Sequence, residues 1–143
     1  MKQTNQSNLW HLYQQTWFAR HPTDPLFENF AIITAYNPGS IVREENINQQ
    51  QQSKLANDLM HLQLEFTDLQ AGDINLNYVE PSFAVNCGLK QAVDLCFRYQ
   101  QNALFWIQQD KLWLIPVTMR AHATTAIGTF SDRLIERKNV DAQ

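Results

Sequence analysis

Apolar residues recur along the chain in two periods, and the change from one to the other marks the elements. Over residues 8–20, Leu9, Leu12, Tyr13 and Trp17 fall at helical spacing behind Ser7 or Asn8 as N-cap. This predicts an N-terminal helix whose aromatic stripe packs into the core. His21-Pro22-Thr23-Asp24-Pro25 ends it, since each proline bars continuation and restrains the residue before it. Residues 29–36 read as a strand, and the unbroken Ala31-Ile32-Ile33 suits one covered on both faces. Asn37-Pro38-Gly39-Ser40 then turns the chain into a helix over residues 43–63. Its apolar positions are Ile47, Leu55, Leu59 and Leu62, and the Gln49–Gln52 run faces solvent.

Leu64–Leu69 reads as a second strand, Gln70-Ala71-Gly72-Asp73 as a turn and Tyr78–Val85 as a third strand. Pro81 cannot donate to a ladder, so it places that strand at an edge or a bulge. Residues 89–101 form an amphipathic helix, with Leu89, Ala92, Val93, Cys96, Phe97 and Gln100 obeying the three-four rule. Leu104–Gln108 and Leu112–Val117 make a hairpin about Gln109-Asp110-Lys111. Residues 118–130 carry no clear pattern, Phe130–Arg137 is a short closing element, and the last six residues fray. An N-terminal helix followed by β-α-β-β-α-β-β predicts one α+β domain over residues 1–143, with its core at 28–117 and an irregular part at 118–143. The sheet is mainly antiparallel with helices packed on one face, in ferredoxin-like order; a small three-layer α/β sheet is the alternative.

Composition supports a globular chain and removes several function classes. Of 143 residues, 44% are apolar and 17% charged, enough to bury one core and too apolar for disorder. The net charge of −3 leaves no basic footprint beyond Arg133, Arg137 and Lys138, so no nucleic-acid partner is expected. No apolar run approaches the ~20 residues that cross a bilayer. The start, Met-Lys-Gln-Thr-Asn-Gln-Ser-Asn, lacks the apolar stretch of a signal peptide. The expectation is a cytoplasmic protein, without a membrane partner, whose Cys87 and Cys96 are free thiols. His11, His21, His61 and His122 are dispersed, so neither a metal site nor a cofactor is implied. A nucleophile elbow, a phosphate-binding loop and a dinucleotide fingerprint are all missing.

Candidate chemistry collects around residues 30–46. Thr34 and Asn37 stand at the carboxyl end of the first central strand, where α/β proteins place ligands. Ser40, Arg43, Glu45 and Asn46 come from the loop and the first helical turn, whose free N–H groups and dipole favour an anion or a carbonyl. The competing reading is ordinary turn chemistry, with Ser40 capping the helix. Glu80 lies in an apolar strand beside Pro81 and either meets solvent or turns inward to a partner such as Arg43, Arg98 or Arg120. In a pocket, desolvation would raise its pKa and make it the catalytic general base. Gln101, at a helix–strand junction, either satisfies loop backbone or reaches a ligand. Cys87, before Gly88 at a helix start, is a lowered-pKa thiol or a bland turn cysteine.

Three blocks carry a resemblance: Ile33-Thr34-Ala35-Tyr36-Asn37-Pro38 with Glu44-Glu45-Asn46, then Glu80-Pro81-Ser82-Phe83-Ala84-Val85, then Gln101-Asn102-Ala103-Leu104-Phe105. Over residues 28–117 the chain resembles the bacterial DUF3293 family, for which no activity is implied. The resemblance singles out Thr34, Asn37, Asn46, Glu80 and Gln101 as polar members of apolar blocks. Two functions follow. In the first, Thr34, Asn37, Ser40, Asn46 and Gln101 bind a small polar ligand, with Glu80 accepting a proton or a ligand N–H. In the second, a non-enzymatic module uses Trp10, Trp17, Trp106 and Trp113 to engage or regulate a protein partner.

Overall fold

Phe30, Ala31, Ile32 and Ile33 are all buried because strand β2 (Asn29–Ile33) sends alternate side chains to two covered faces. The structure, a computed structural model, describes residues 6–136. On one face Ala31 and Ile33 meet Phe83 and Val85 of β4 (Val79–Asn86) and Leu104 of β5 (Ala103–Gln108). Leu55 and Leu59 of α2 (Glu45–His61) and Ala92, Leu95 and Cys96 of α3 (Leu89–Arg98) close this layer. On the opposite face Phe30 and Ile32 pack with Phe18 of β1 (Trp17–Arg20), Leu69 of β3 (Glu65–Gly72), Leu112 of β6 (Lys111–Pro116) and Phe130. Trp10 of α1 (Gln6–Gln14) adds to this side against Leu114 and Met119.

The described residues form an α+β fold of three helices on one eight-stranded sheet, in the order β7-β6-β5-β2-β4-β3-β1-β8. Here β7 is Thr125–Thr129 and β8 is Leu134–Glu136. All pairings are antiparallel except β1 with β8. The two edge strands are nearly consecutive in the chain, and that dictates the shape. Laid flat, eight strands would hold β7 and β8 about 34 Å apart. The link from Thr129 to Leu134 reaches at most about 18 Å. The sheet therefore curls, and Phe130 in that link touches both Phe30 of β2 and Phe18 of β1, at centroid distances of 5.2 and 5.4 Å.

Between residues 29 and 116 the elements succeed one another as β-α-β-β-α-β-β. The ferredoxin-like sheet expected from that succession is not what forms, because β1, β7 and β8 extend it to eight strands. Nor do the helices share one face: α1 packs opposite to α2 and α3. The helix expected at 8–20 stops at Gln14, and Trp17-Phe18-Ala19 instead pairs with Gly72, Ala71 and Gln70. Aromatic residues fit a pleated surface at least as well as a helix, while Leu12 of the presumed stripe is 57% exposed. On α3, Phe97 is 65% exposed and Leu95 takes the core position. The patternless 118–130 contains β7. The closing element is a short 3-10 turn and β8; Arg137 and the tail lie outside the described residues.

The expected edge position for Pro81 is not found either, since β4 lies between β2 and β3. A strand residue turns its N and its O to the same neighbour. The Pro81 carbonyl accepts from Thr34 Oγ1 (2.7 Å) and Gln52 Nε2 (3.1 Å), so its missing N–H also faces the β2 side. There β2 has already ended at Ile33, and no ladder bond is lost.

The turn expected at residues 70–73 is strand as far as Gly72, which pairs with both Val79 and Trp17. A Cβ on Gly72 would collide with the Tyr78 carbonyl oxygen and come within 2.8 Å of Val79 Cγ1. Gly72→Ala should therefore lower stability by about 1–3 kcal/mol in urea titration. An unchanged midpoint would show that the β3–β4 end relaxes freely.

Candidate functional site

The cup formed by the curled sheet and α1 contains a cavity of about 760 Å³. Ile32, Phe105 and Leu114 form its apolar floor, Leu9 and Leu12 of α1 one side, and Glu80 part of its polar wall. Thr34, Asn37, Ser40, Glu80 and Gln101 all line it. Asn46 does not: it is exposed on α2 outside the cavity, and the nearby side chain that turns inward is Asn48, 2% exposed.

The polar wall arises where β2 and β4 part. Register pairs Ile33 with Phe83, after which β2 turns away and Ala35 would oppose Pro81. The Gln52 side chain bridges the gap, its Oε1 accepting from Ala35 N–H at 2.8 Å while Nε2 donates to the Pro81 carbonyl. One amide thus replaces a rung of the ladder. Asn48, one helical turn earlier, uses Oδ1 to accept Asn37 N–H (2.9 Å) and Nδ2 to donate to Asn37 Oδ1 (2.8 Å). These contacts turn Asn48 and Gln52 inward and leave Ile47 41% exposed; of the glutamine run expected to face solvent, Gln49 and Gln50 do so and Gln52 does not.

Asn37 has a left-handed backbone (φ 46°, ψ 64°), which asparagine tolerates better than most residues. Its side chain uses its full hydrogen-bonding capacity. Oδ1 accepts from Arg43 N–H and Asn48, while Nδ2 donates to Tyr78 Oη (3.1 Å) and Glu80 Oε2 (3.0 Å). Tyr78 Oη also donates to Glu80 Oε2 at 3.4 Å. Glu80 thus turns inward, yet its partners are these neutral donors and none of Arg43, Arg98 or Arg120. Burial raises its pKa, opposed by the hydrogen bonds from Asn37 and Tyr78.

Gln101 spends Nε2 on the carbonyls of Tyr36 (3.0 Å) and Tyr99 (3.3 Å), and the adjacent Gln100 carbonyl accepts Gly39 N–H. The bonds to the Tyr36 carbonyl and from Gly39 N–H clamp the 34–44 loop to the end of α3. Ser40 does not cap α2; its Oγ lies 2.5 Å from Tyr13 Oη, and Asn102 Nδ2 donates to both hydroxyls, tying α1 to the loop. The start of α2 carries two carboxylates, Glu44 and Glu45, and Glu44 at the N-cap makes no side-chain capping bond. Glu45 accepts from Tyr36 Oη (2.9 Å), and burial together with that bond pushes the Tyr36 phenol up to about 12. Cys87 shows no activation: burial pushes its thiol up to about 11. Among the described residues no cluster of His, Cys, Asp and Glu is suited to a metal ion, and no helix is long and apolar enough to cross a membrane.

Sequence reasoning missed Asn48, Gln52, Tyr78 and Tyr13. The signal for the first two was register: Asn48, Gln52, Leu55 and Leu59 fall on one helical face.

Asn48→Ala removes a donor and an acceptor from Asn37 together, and should cost about 2–3 kcal/mol in chemical denaturation. Glu80 generates a pH signature. A carboxyl whose folded pKa is raised holds its proton more tightly folded than unfolded. The resulting stabilisation is complete below its ordinary value of 4.5 and is lost as pH rises through the raised value. Urea titrations stepped from about pH 4 to 7 should show Glu80→Gln gaining on the wild type as pH rises. A constant difference would mean that the carboxyl is unperturbed.

No curated protein and no solved structure matches the chain. One family model does, described as "Protein of unknown function (DUF3293)", over residues 33–104. That span is narrower than the 28–117 over which the resemblance is drawn. It runs from the last residue of β2 into β5 and takes in Thr34, Asn37, Asn48, Gln52, Glu80 and Gln101, the side chains that build the polar wall. On that match the chain belongs to the DUF3293 family.

Proposed function

We propose that this protein binds a small amphipathic molecule in the cup, its polar end at Glu80 and its apolar part along Ile32, Phe105 and Leu114. One observation carries the reading: a cavity of about 760 Å³ unites an apolar floor with a carboxylate fixed by Asn37 and Tyr78. That volume lies within the range of small-molecule sites, which combine apolar walls with a few placed polar groups. Glu80 is the residue that touches the ligand and receives its N–H or proton. Asn37, with no hydrogen-bonding capacity left, is a positioning residue, and Thr34 and Gln101 hold the loop.

The interaction-module reading draws on the tryptophans. Trp10 is buried and Trp17, Trp106 and Trp113 are half-buried, and none of the four is among the exposed large apolar residues. The cavity therefore carries the stronger case.

The environment-sensitive dye N-phenyl-1-naphthylamine tests the reading. Its fluorescence should rise saturably, and at a hundred times its Kd it should add about 2.7 kcal/mol to stability, visible as a higher Tm. Ala103→Phe, which adds a ring at a cavity-lining position, should abolish both effects. A response that does not saturate, or that survives this substitution, would sink the proposal.

A further inference from the structure

Around Glu80 the polar wall of the cavity has spent its side-chain donors. Asn37 Nδ2 gives to Glu80 and Tyr78, and Gln101 Nε2 to two backbone carbonyls. Thr34 Oγ1 donates to the Pro81 carbonyl (2.7 Å) and Ser82 Oγ to the Glu80 carbonyl (3.2 Å). Tyr78 Oη, accepting from Asn37, gives its hydrogen to Glu80 Oε2. These bonds leave lone pairs as the free capacity of the wall around Glu80. Glu80 Oε2 takes both donated bonds, and among the described residues no side chain donates to Oε1.

Charge points the same way. The lining residues include two carboxylates, Asp73 and Glu80, and one cation, Arg133. Arg133 is engaged elsewhere: Nη1 donates to the carbonyls of Gln14 and Thr16, both at 2.9 Å, and Nη2 to that of Ile127 at 3.1 Å. Among the described residues no cation lies against Glu80. A half-sequestered carboxylate with neutral partners on one oxygen is an incomplete ion pair. An ammonium, with three donors and a positive charge, completes it.

We infer that the ligand is a small amphipathic amine, its protonated nitrogen on Glu80 and its alkyl or aryl body on the apolar floor. This rests on the proposed ligand-binding reading of the cavity and adds the class of molecule. An anionic ligand at Glu80 would face spent donors and two carboxylates, so octanoate would have to turn to Arg133, three of whose five N–H groups already hold backbone carbonyls.

A matched series of n-octylamine, 1-octanol and octanoate, titrated calorimetrically into the full chain at neutral pH, decides it. The amine should bind at least about tenfold more tightly than the alcohol, and octanoate weakest. Glu80→Gln should lower amine affinity by about tenfold and leave the alcohol within about threefold. Equal binding of all three by the wild type, or tightest binding of octanoate, would overturn the amine assignment while leaving the cavity reading intact. Failure of all three, together with the naphthylamine dye, would overturn both. The ranking in the wild type decides the matter even if Glu80→Gln fails to fold.

Discussion

Backbone groups stranded where two paired strands part must find partners elsewhere, and in this fold the side chains of α2 supply them. The Gln52 amide stands in for a rung between Ala35 and Pro81, and Asn48 does similar work for Asn37 one helical turn away. Asn48 lies two turns before Leu55 and Gln52 two turns before Leu59, the leucines that anchor the same helix to the sheet. The face of α2 is therefore mixed by necessity, with apolar contacts where the sheet is whole and amides where it splits. The family match covers this junction and both helices that hold it.

The split also makes room. With β2 gone from its side, β4 presents Glu80 and Ser82 to the inner face of the curled sheet. The curl is imposed from the far ends, because the short link from Thr129 to Leu134 spans what would otherwise be the full width of the sheet. Phe130 in that link packs on Phe18 and Phe30, so closure and core formation are one event. A carboxylate at the wall of such a cup loses hydration without gaining a cation. The two neutral donors on Oε2 offset part of that cost, and the raised pKa of Glu80 is the remainder.

Much of this was legible in the sequence where one physical rule dominated. The hairpin about Gln109 and Asp110, the amphipathic α3 and the doubly covered β2 follow from turn chemistry and periodicity. Asn37, Glu80 and Gln101 stood out as polar residues within apolar blocks. The failures have causes too. Trp17-Phe18-Ala19 is compatible with a helix face until β3 and β8 are there to pair with it, and such long-range pairing leaves no local mark. Thr125–Thr129 is a half-buried strand with little hydrophobic signal. Asn46 and Asn48 lie about 200° apart around the axis of α2, so the first is exposed while the second faces the sheet, a phase that the polar start of the helix does not reveal. The glutamine run conceals Gln52 because polarity alone does not distinguish an exposed amide from a buried one whose partners satisfy it.

The resulting division of labour separates two side chains that look alike in the sequence. Asn37 and Glu80 both interrupt apolar blocks, and they lie 3.0 Å apart. Yet Asn37 has a partner for each donor and acceptor of its side chain and a left-handed backbone that fixes its direction. Among the described residues, Glu80 is bound through one oxygen only. A saturated group can orient a neighbour but cannot take up a new partner without giving one up. The unsaturated one can, and its charge makes the gain larger in a cavity than in water. Specificity at this site therefore depends on what Glu80 accepts, and its precision on the amides of Asn37 and Asn48 behind it.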